Sequence, residues 1–267
     1  MNPDMLASPE ELLDTHGAVV FDCRFSLADP AEGEALYRQG HVPGAFYLDL
    51  EKDLSGPVAE HGGRHPLPDP RLLARRLADC GVDRDSRVIA YDDSRFAFAA
   101  RLWWLMRSLG YRPPRLLDGG YRAFLDAGGV PATAVPDAMA CDPPTDLAFK
   151  GCCNIEGLRH ALAAGALLVD AREARRYQGL EEPIDPVAGH IPGAVNRPWQ
   201  GVTDENGRLR PLPEQRAHWG DALASEDLVV YCGSGVTACV DLFSLALLGR
   251  EDATLYAGSW SDWCSYL

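Results

Sequence analysis

Short apolar runs recur along the chain, each too brief for a helix and almost free of polar positions. Ala18-Val19-Val20-Phe21, Val88-Ile89-Ala90-Tyr91, Leu167-Leu168-Val169 and Leu228-Val229-Val230-Tyr231 are the clearest. Such runs predict strands buried on both faces. Longer stretches with helical spacing lie between them, the plainest passing through Leu242, Phe243, Leu245 and Leu248. Gly110 and Gly249 each close the helix that follows an apolar run. Strand and helix alternate throughout, which predicts an α/β architecture of parallel strands flanked by helices.

The pattern is written twice. Ala18 to Arg24 ends an apolar run in Asp-x-Arg, and Leu167 to Arg172 does the same. Gly40-His41-Val42-Pro43-Gly44-Ala45 returns as Gly189-His190-Ile191-Pro192-Gly193-Ala194. Arg64-His65-Pro66-Leu67-Pro68 is echoed by Arg210-Pro211-Leu212-Pro213, and Leu117-Asp118-Gly119-Gly120-Tyr121 by Tyr256-Ala257-Gly258-Ser259-Trp260. Self-similarity of this kind predicts two copies of one folding unit. Between the copies, Pro131, Pro136, Pro143 and Pro144 interrupt any periodicity. The expected division is therefore a first domain over residues 1–130, a linker over 131–150 and a second domain over 151–267. A chain of 267 residues gives each copy enough length to bury a core.

Charge narrows the range of partners. Lys and Arg number 25 against 39 Asp and Glu, a formal net charge of −14. That balance argues against nucleic acid and against an anionic membrane surface. An anionic substrate would have to be held by local arginines and amides. Met-Asn-Pro-Asp-Met-Leu has no basic start and no long apolar run, so neither an export signal nor a membrane span is expected. The eight cysteines include no Cys-x-x-Cys pair and no zinc-type spacing, so reduced thiols in the cytoplasm are expected, without a metal. Adjacent Cys152 and Cys153 read as incidental.

One cysteine stands apart. Cys232 follows the run Leu228 to Tyr231 and opens Cys232-Gly233-Ser234-Gly235-Val236-Thr237-Ala238, after which an apolar helix begins. Two glycines let the backbone curl so that its N–H groups line a concavity, and the positive end of the helix points at the same place. Both features favour a reactive thiolate. They would also hold an anionic atom attached to that sulfur. A phosphatase would need an arginine after five intervening residues to clamp phosphate; that position is Ala238, and the next arginine is Arg250. In the first copy Asp92 takes the place of the cysteine, so only the second copy can perform thiol chemistry; Asp92 and Asp93 read as helix caps.

These seven residues resemble the active-site loop of the mercaptopyruvate sulfurtransferases, relatives of the thiosulfate sulfurtransferases (rhodaneses). The duplicated His-x-Pro-Gly-Ala turns and the late Gly-Ser-Trp extend the resemblance over essentially the whole chain. It implies two tandem rhodanese-like domains, with the first forming one wall of the cleft. It further implies a persulfide on Cys232, no cofactor, a small-molecule sulfur donor, and a thiol, thioredoxin-like or cyanide acceptor. Among the site residues the resemblance implies, the backbone of Gly233, Gly235, Val236, Thr237 and Ala238 cradles the sulfur, and Ser234 assists proton movement at the donor. Arg176 matches the family's substrate-binding arginine. A second arginine is expected after Glu182-Pro183, where Ile184 and Asp185 stand instead, leaving the carboxylate clamp one cation short. The loop also lacks the basic residues typical of thiosulfate enzymes. Mercaptopyruvate is the favoured donor, with thiosulfate, or a carrier role serving a protein partner, as alternatives. His41 and His190 serve mainly their own turns, His41 being the candidate for the cleft. Asp170 and Arg172 are expected to form a structural ion pair.

Overall fold

The apolar runs become the centres of two parallel sheets. In the computed structural model, which describes residues 5–15, 17–137 and 139–267, the first half contains β1 (Leu6–Ala7), α1 (Pro9–Asp14), β2 (Val19–Asp22), α2 (Glu32–Gln39), β3 (Ala45–Tyr47), α3 (Pro70–Asp79), β4 (Val88–Tyr91), α4 (Ala99–Ser108), β5 (Arg115–Leu117) and α5 (Gly120–Asp126). The second half repeats the series with β6 (Cys152–Cys153), α6 (Ile155–Ala163), β7 (Leu167–Asp170), α7 (Ala174–Tyr177), β8 (Val195–Asn196), α8 (Leu212–Trp219), β9 (Leu228–Tyr231), α9 (Ala238–Leu247), β10 (Thr254–Tyr256) and α10 (Ser259–Cys264). Residues 1–4 of the N-terminal stretch read for an export signal, and Ala138 of the Pro-rich segment, lie outside the described residues. No described helix is long and apolar enough to cross a membrane.

The strand orders are β1-β5-β4-β2-β3 and β6-β10-β9-β7-β8, the same topology twice. The register repeats as well, Asp22 facing Tyr91 in the first sheet and Asp170 facing Tyr231 in the second. In each copy an Asp-x-Arg phrase closes back on itself. Arg24 binds Asp22 and the Gly40 carbonyl; Arg172 binds Asp170 and the Gly189 carbonyl. These buried guanidinium groups thus tie the end of a strand to the His-x-Pro-Gly turn.

Alternation along the strands sends side chains to two different layers. Val20 and Ile89 join α1 and α5 on the outer side of the first sheet, and Leu168 and Val229 join α6 and α10 on the outer side of the second. Phe21, Ala90, Val169 and Val230 face inward, into a single apolar cluster that contains α4 and α9 and runs across both halves. Every residue of α9 is buried. That follows from its position between its own sheet and α4, and it explains a helix apolar on all sides. Phe243 of α9 meets Trp103 of α4 edge to face at 5.2 Å. The halves therefore share a core rather than merely touching.

Two loops cross between the halves. His61–Arg64 lies on α10, with Gly62 N–H donating to Asp262 and Arg64 N–H to Ser261. A Cβ on Gly63, at φ +80°, would stand 2.4 Å from the Gly258 carbonyl, so only glycine permits this approach. Reciprocally, Leu209 N–H donates to Asp118 of the first half.

Candidate active site

Cys232 lies just past the carboxyl end of β9. Beside it, β7 leads outward to β8, while β9 leads the other way to β10. Crevices at such reversals are where open α/β sheets bind ligands. A cleft of about 710 Å3 opens there, lined by Cys232, Gly233, Ser234, Val236 and Thr237 on one side and by Phe25, Leu27, Ser94 and Phe98 of the first half on the other. Its size suits a small-molecule site. Cys232 itself is 2 % exposed, so reagents reach its sulfur only through the cleft.

The loop is pinned from outside, which leaves its interior open. Cys232 N–H donates to Ser259 Oγ at 3.1 Å, and its carbonyl accepts from Trp260 N–H. The Gly233 carbonyl accepts from Ser261 N–H. Gly235 holds φ +76°, and a Cβ there would lie 2.2 Å from the Ala257 carbonyl. Its own carbonyl is turned away to accept from Arg101 Nη1 at 3.0 Å. Among the described residues, the N–H groups of Gly233 to Ala238 find no acceptor in the chain.

The first half supplies the comparison. Asp92, in the place of Cys232, has its carboxylate bound by the N–H groups of Ser94, Phe96, Phe98 and Ala99 at 2.8–3.1 Å. Burial pushes its carboxyl up to about 6, so it is ionised at neutral pH. This goes beyond a helix cap. The cradle of the first copy is filled by an anion carried on its own side chain, while the corresponding amides of Ser234, Val236 and Ala238 are open. An anionic group carried on Cys232 Sγ would meet these amides as the Asp92 carboxylate meets its own. Gly235 and Ala238 do not line the cleft. Gly235 contributes the turn and Ala238 begins α9.

Positive charge comes from both halves. Arg176 lies beside the loop, and Arg64 arrives from the crossing loop. A Cβ on Gly233 would stand 3.1 Å from Arg64 Nη2 and 3.4 Å from Arg176 Nη1, so both guanidinium groups flank the residue next to Cys232. A second cation thus stands beside Arg176, supplied by residue 64 and not by residue 184. Ile184 is an apolar, 47 % exposed part of the rim. Asp185 bridges the two arginines, pairing with Arg64 and, at 3.1 Å, with Arg176 Nη2. Glu182 takes Arg176 at 2.6 Å and Arg172 at 3.1 Å. Burial raises the Asp185 carboxyl above its usual range, with Arg64 opposing and Glu182 reinforcing the shift. Arg172 keeps its structural pair with Asp170 and also lines the cleft.

A histidine reaches the site, and it is His65. Its Nδ1 lies 2.7 Å from Ser234 Oγ. Burial, together with Arg101 and Arg64, depresses its pKa to about 4, so the ring is neutral at pH 7. His41 is not in the cleft. Its ring is fully buried, stacked on Tyr37 at 3.9 Å, and both nitrogens are engaged by the carbonyls of Tyr37 and Ala134. Its turn lies beside β2 and β3, and the ring is consumed in holding it.

Arg64, Ser259 and Asp185 carry no site signal in the sequence. For His65 there was one: the phrase Arg64-His65-Pro66-Leu67-Pro68 has no histidine in its second copy, Arg210-Pro211-Leu212-Pro213. A difference between repeats marks where the copies have separate tasks.

The family described as Rhodanese-like domain matches residues 7–127 and again 155–266. Over 258 residues the chain is 46 % identical to a probable 3-mercaptopyruvate sulfurtransferase of Pseudomonas aeruginosa, covering 92 % of this chain and 88 % of that one. It is 39 % identical to a putative thiosulfate sulfurtransferase, SseB, of Mycobacterium tuberculosis over 92 % of this chain and 87 % of the relative. Among solved structures, the 3-mercaptopyruvate sulfurtransferase from Leishmania major superposes with a TM-score of 0.87 at 30 % identity, covering 100 % of this chain and 76 % of that one.

Proposed function

The chain belongs to the rhodanese-like family and is a sulfurtransferase, and we propose that its donor is 3-mercaptopyruvate and that Cys232 carries the transferred sulfur as a persulfide. The observation that carries the donor assignment is the pair of guanidinium groups, Arg64 and Arg176, that converge beside Gly233. Arg64, and Arg176 through its Nη1, keep N–H groups that Asp185 and Glu182 do not take, and these can donate to a planar carboxylate. With the carboxylate there, the thiol sulfur of the donor extends toward Cys232.

The Cys232 thiolate attacks that sulfur. The new S–S bond forms as the donor's C–S bond breaks, and the electron pair leaves as the enolate of pyruvate. Ser234 Oγ takes the proton of the donor thiol and passes its own to neutral His65, which is within hydrogen-bond reach. The proton returns along the same pair to the enolate carbon, giving pyruvate. The terminal sulfur then rests as an anion among the amides of Ser234, Val236 and Ala238. A thiol or cyanide removes it and regenerates the Cys232 thiolate in a second half-reaction.

The likeness to SseB supports thiosulfate as a second donor. The discriminating experiment is a side-by-side comparison of kcat/KM. The proposal expects mercaptopyruvate to have the higher value, and a higher value for thiosulfate would reverse the donor assignment. Arg64→Ala and Arg176→Ala are each expected to cost about 2–4 kcal/mol in kcat/KM for mercaptopyruvate, the range for removing one member of a desolvated charge pair.

A further inference from the structure

The carboxylate clamp is already in contact with a carboxylate. Asp185 pairs with Arg64 and with Arg176, the two cations that flank Gly233. Its side chain is only 2 % exposed, so water screens these pairs weakly. Around the loop, Arg64, Arg172 and Arg176 are matched by Asp170, Glu182 and Asp185. Three positive charges meet three negative ones, so the arginines beside the loop carry no net charge; Arg101 on the Gly235 carbonyl and Glu173 at the rim, opposite in sign, offset each other. At the rim, Glu181 is paired with Arg175, and Glu173 accepts a hydrogen bond from Gln200.

We propose that Asp185 sets donor selectivity, holding the arginine clamp electrically neutral so that it accepts a monoanion and discriminates against a dianion. The inference rests on the donor reading above and adds a residue to it. The physical basis is the different dependence of two terms on ligand charge. Stripping water from an ion costs energy that grows as the square of its charge, whereas attraction to a site's net charge grows only linearly. In a neutral site the second term vanishes and only directed hydrogen bonds remain. A carboxylate monoanion such as mercaptopyruvate tolerates that balance. Thiosulfate, with two charges, has about four times the desolvation cost to recover and no net attraction to recover it with.

Geometry allows Asp185 this role without competing for every donor. Each guanidinium presents five N–H groups, and Asp185 engages one edge of each. The Nη atoms nearest Gly233 are Nη2 of Arg64 and Nη1 of Arg176, whereas Asp185 takes Nη1 of Arg64 and Nη2 of Arg176. Arg64 and Arg176 line the cleft and Asp185 does not, so Nη2 of Arg64 and Nη1 of Arg176 remain for the donor.

Steady-state kinetics of wild type and Asp185→Asn with both donors, at fixed ionic strength, tests this. Removing the charge makes the site one unit more positive, and the gain scales with ligand charge. We expect kcat/KM to rise roughly tenfold for mercaptopyruvate and roughly a hundredfold for thiosulfate, through KM, for a partly screened unit charge. The preference for mercaptopyruvate shrinks accordingly. Equal changes for the two donors, or a rise in both KM values, would overturn the proposal. If wild type turns over neither donor, the donor reading fails instead. Equilibrium binding to wild type covers the case in which the variant does not fold. Pyruvate should bind more tightly than sulfate, and tighter sulfate binding contradicts a neutral clamp.

Discussion

Asp241 is the side chain least at ease in its surroundings. It sits on α9, two residues past Cys239, fully buried, and neither carboxylate oxygen has a hydrogen-bond partner among the described residues. Burial pushes its carboxyl well above the ordinary range, and the nearby Cys232 and Asp170 push in the same direction while Arg197 opposes them. The group is therefore protonated in the fold under conditions where the unfolded chain has released the proton. The sign follows directly. Below about pH 4 both states hold the proton and no penalty exists. As pH rises from there toward the elevated folded value, stability falls by about 1.4 kcal/mol per pH unit. Asp241→Asn keeps the shape and removes the titration. Urea melts between pH 4 and 8 should show the variant gaining on wild type as pH rises; parallel curves would mean that Asp241 is paired after all.

At the scale of elements, the site depends on contacts between α4 and the cysteine loop. Arg101 of α4 is completely buried and has no carboxylate partner among the described residues. It donates to the carbonyls of Leu54, His65 and Gly235. One guanidinium therefore joins the segment carrying Arg64 and His65 to the turn that opens the amide cradle. Arg101→Met should lower kcat/KM for mercaptopyruvate on the order of tenfold to a hundredfold, the usual effect of displacing reacting groups by about an ångström. Arg101→Lys should recover part of it. Wild-type kinetics in the Met variant would show that the loop holds its shape unaided. None of this was legible from spacing. The strands, the duplicated Asp-x-Arg and His-x-Pro-Gly phrases and the Cys232 loop are local patterns, and each could be read along the chain. Arg64 and His65 come near Cys232 only because a loop of the first half crosses onto α10, a tertiary event with no local periodicity. His41 illustrates the converse, a recurring motif histidine whose ring is taken up by the carbonyls of Tyr37 and of Ala134 in the Pro-rich segment.

Taken as a whole, the molecule uses its duplication asymmetrically. Both copies build a strand, a tight loop and a helix start. In the first the loop closes on the Asp92 carboxylate, and in the second it surrounds Cys232 with open amides. The shared core around α4 and α9 fixes the halves so that Arg64 and Phe98 of one line the same cleft as Cys232 of the other, and His65 reaches Ser234. The central claim is that this second cradle holds a persulfide, and intact-mass spectrometry after brief exposure to mercaptopyruvate without acceptor tests it most directly. Wild type should gain one sulfur atom and lose it on adding cyanide, while Cys232→Ser gains none despite retaining Cys239 and the remaining thiols. A sulfur adduct of equal extent on Cys232→Ser, or pyruvate release by wild type with no mass increase, would contradict it.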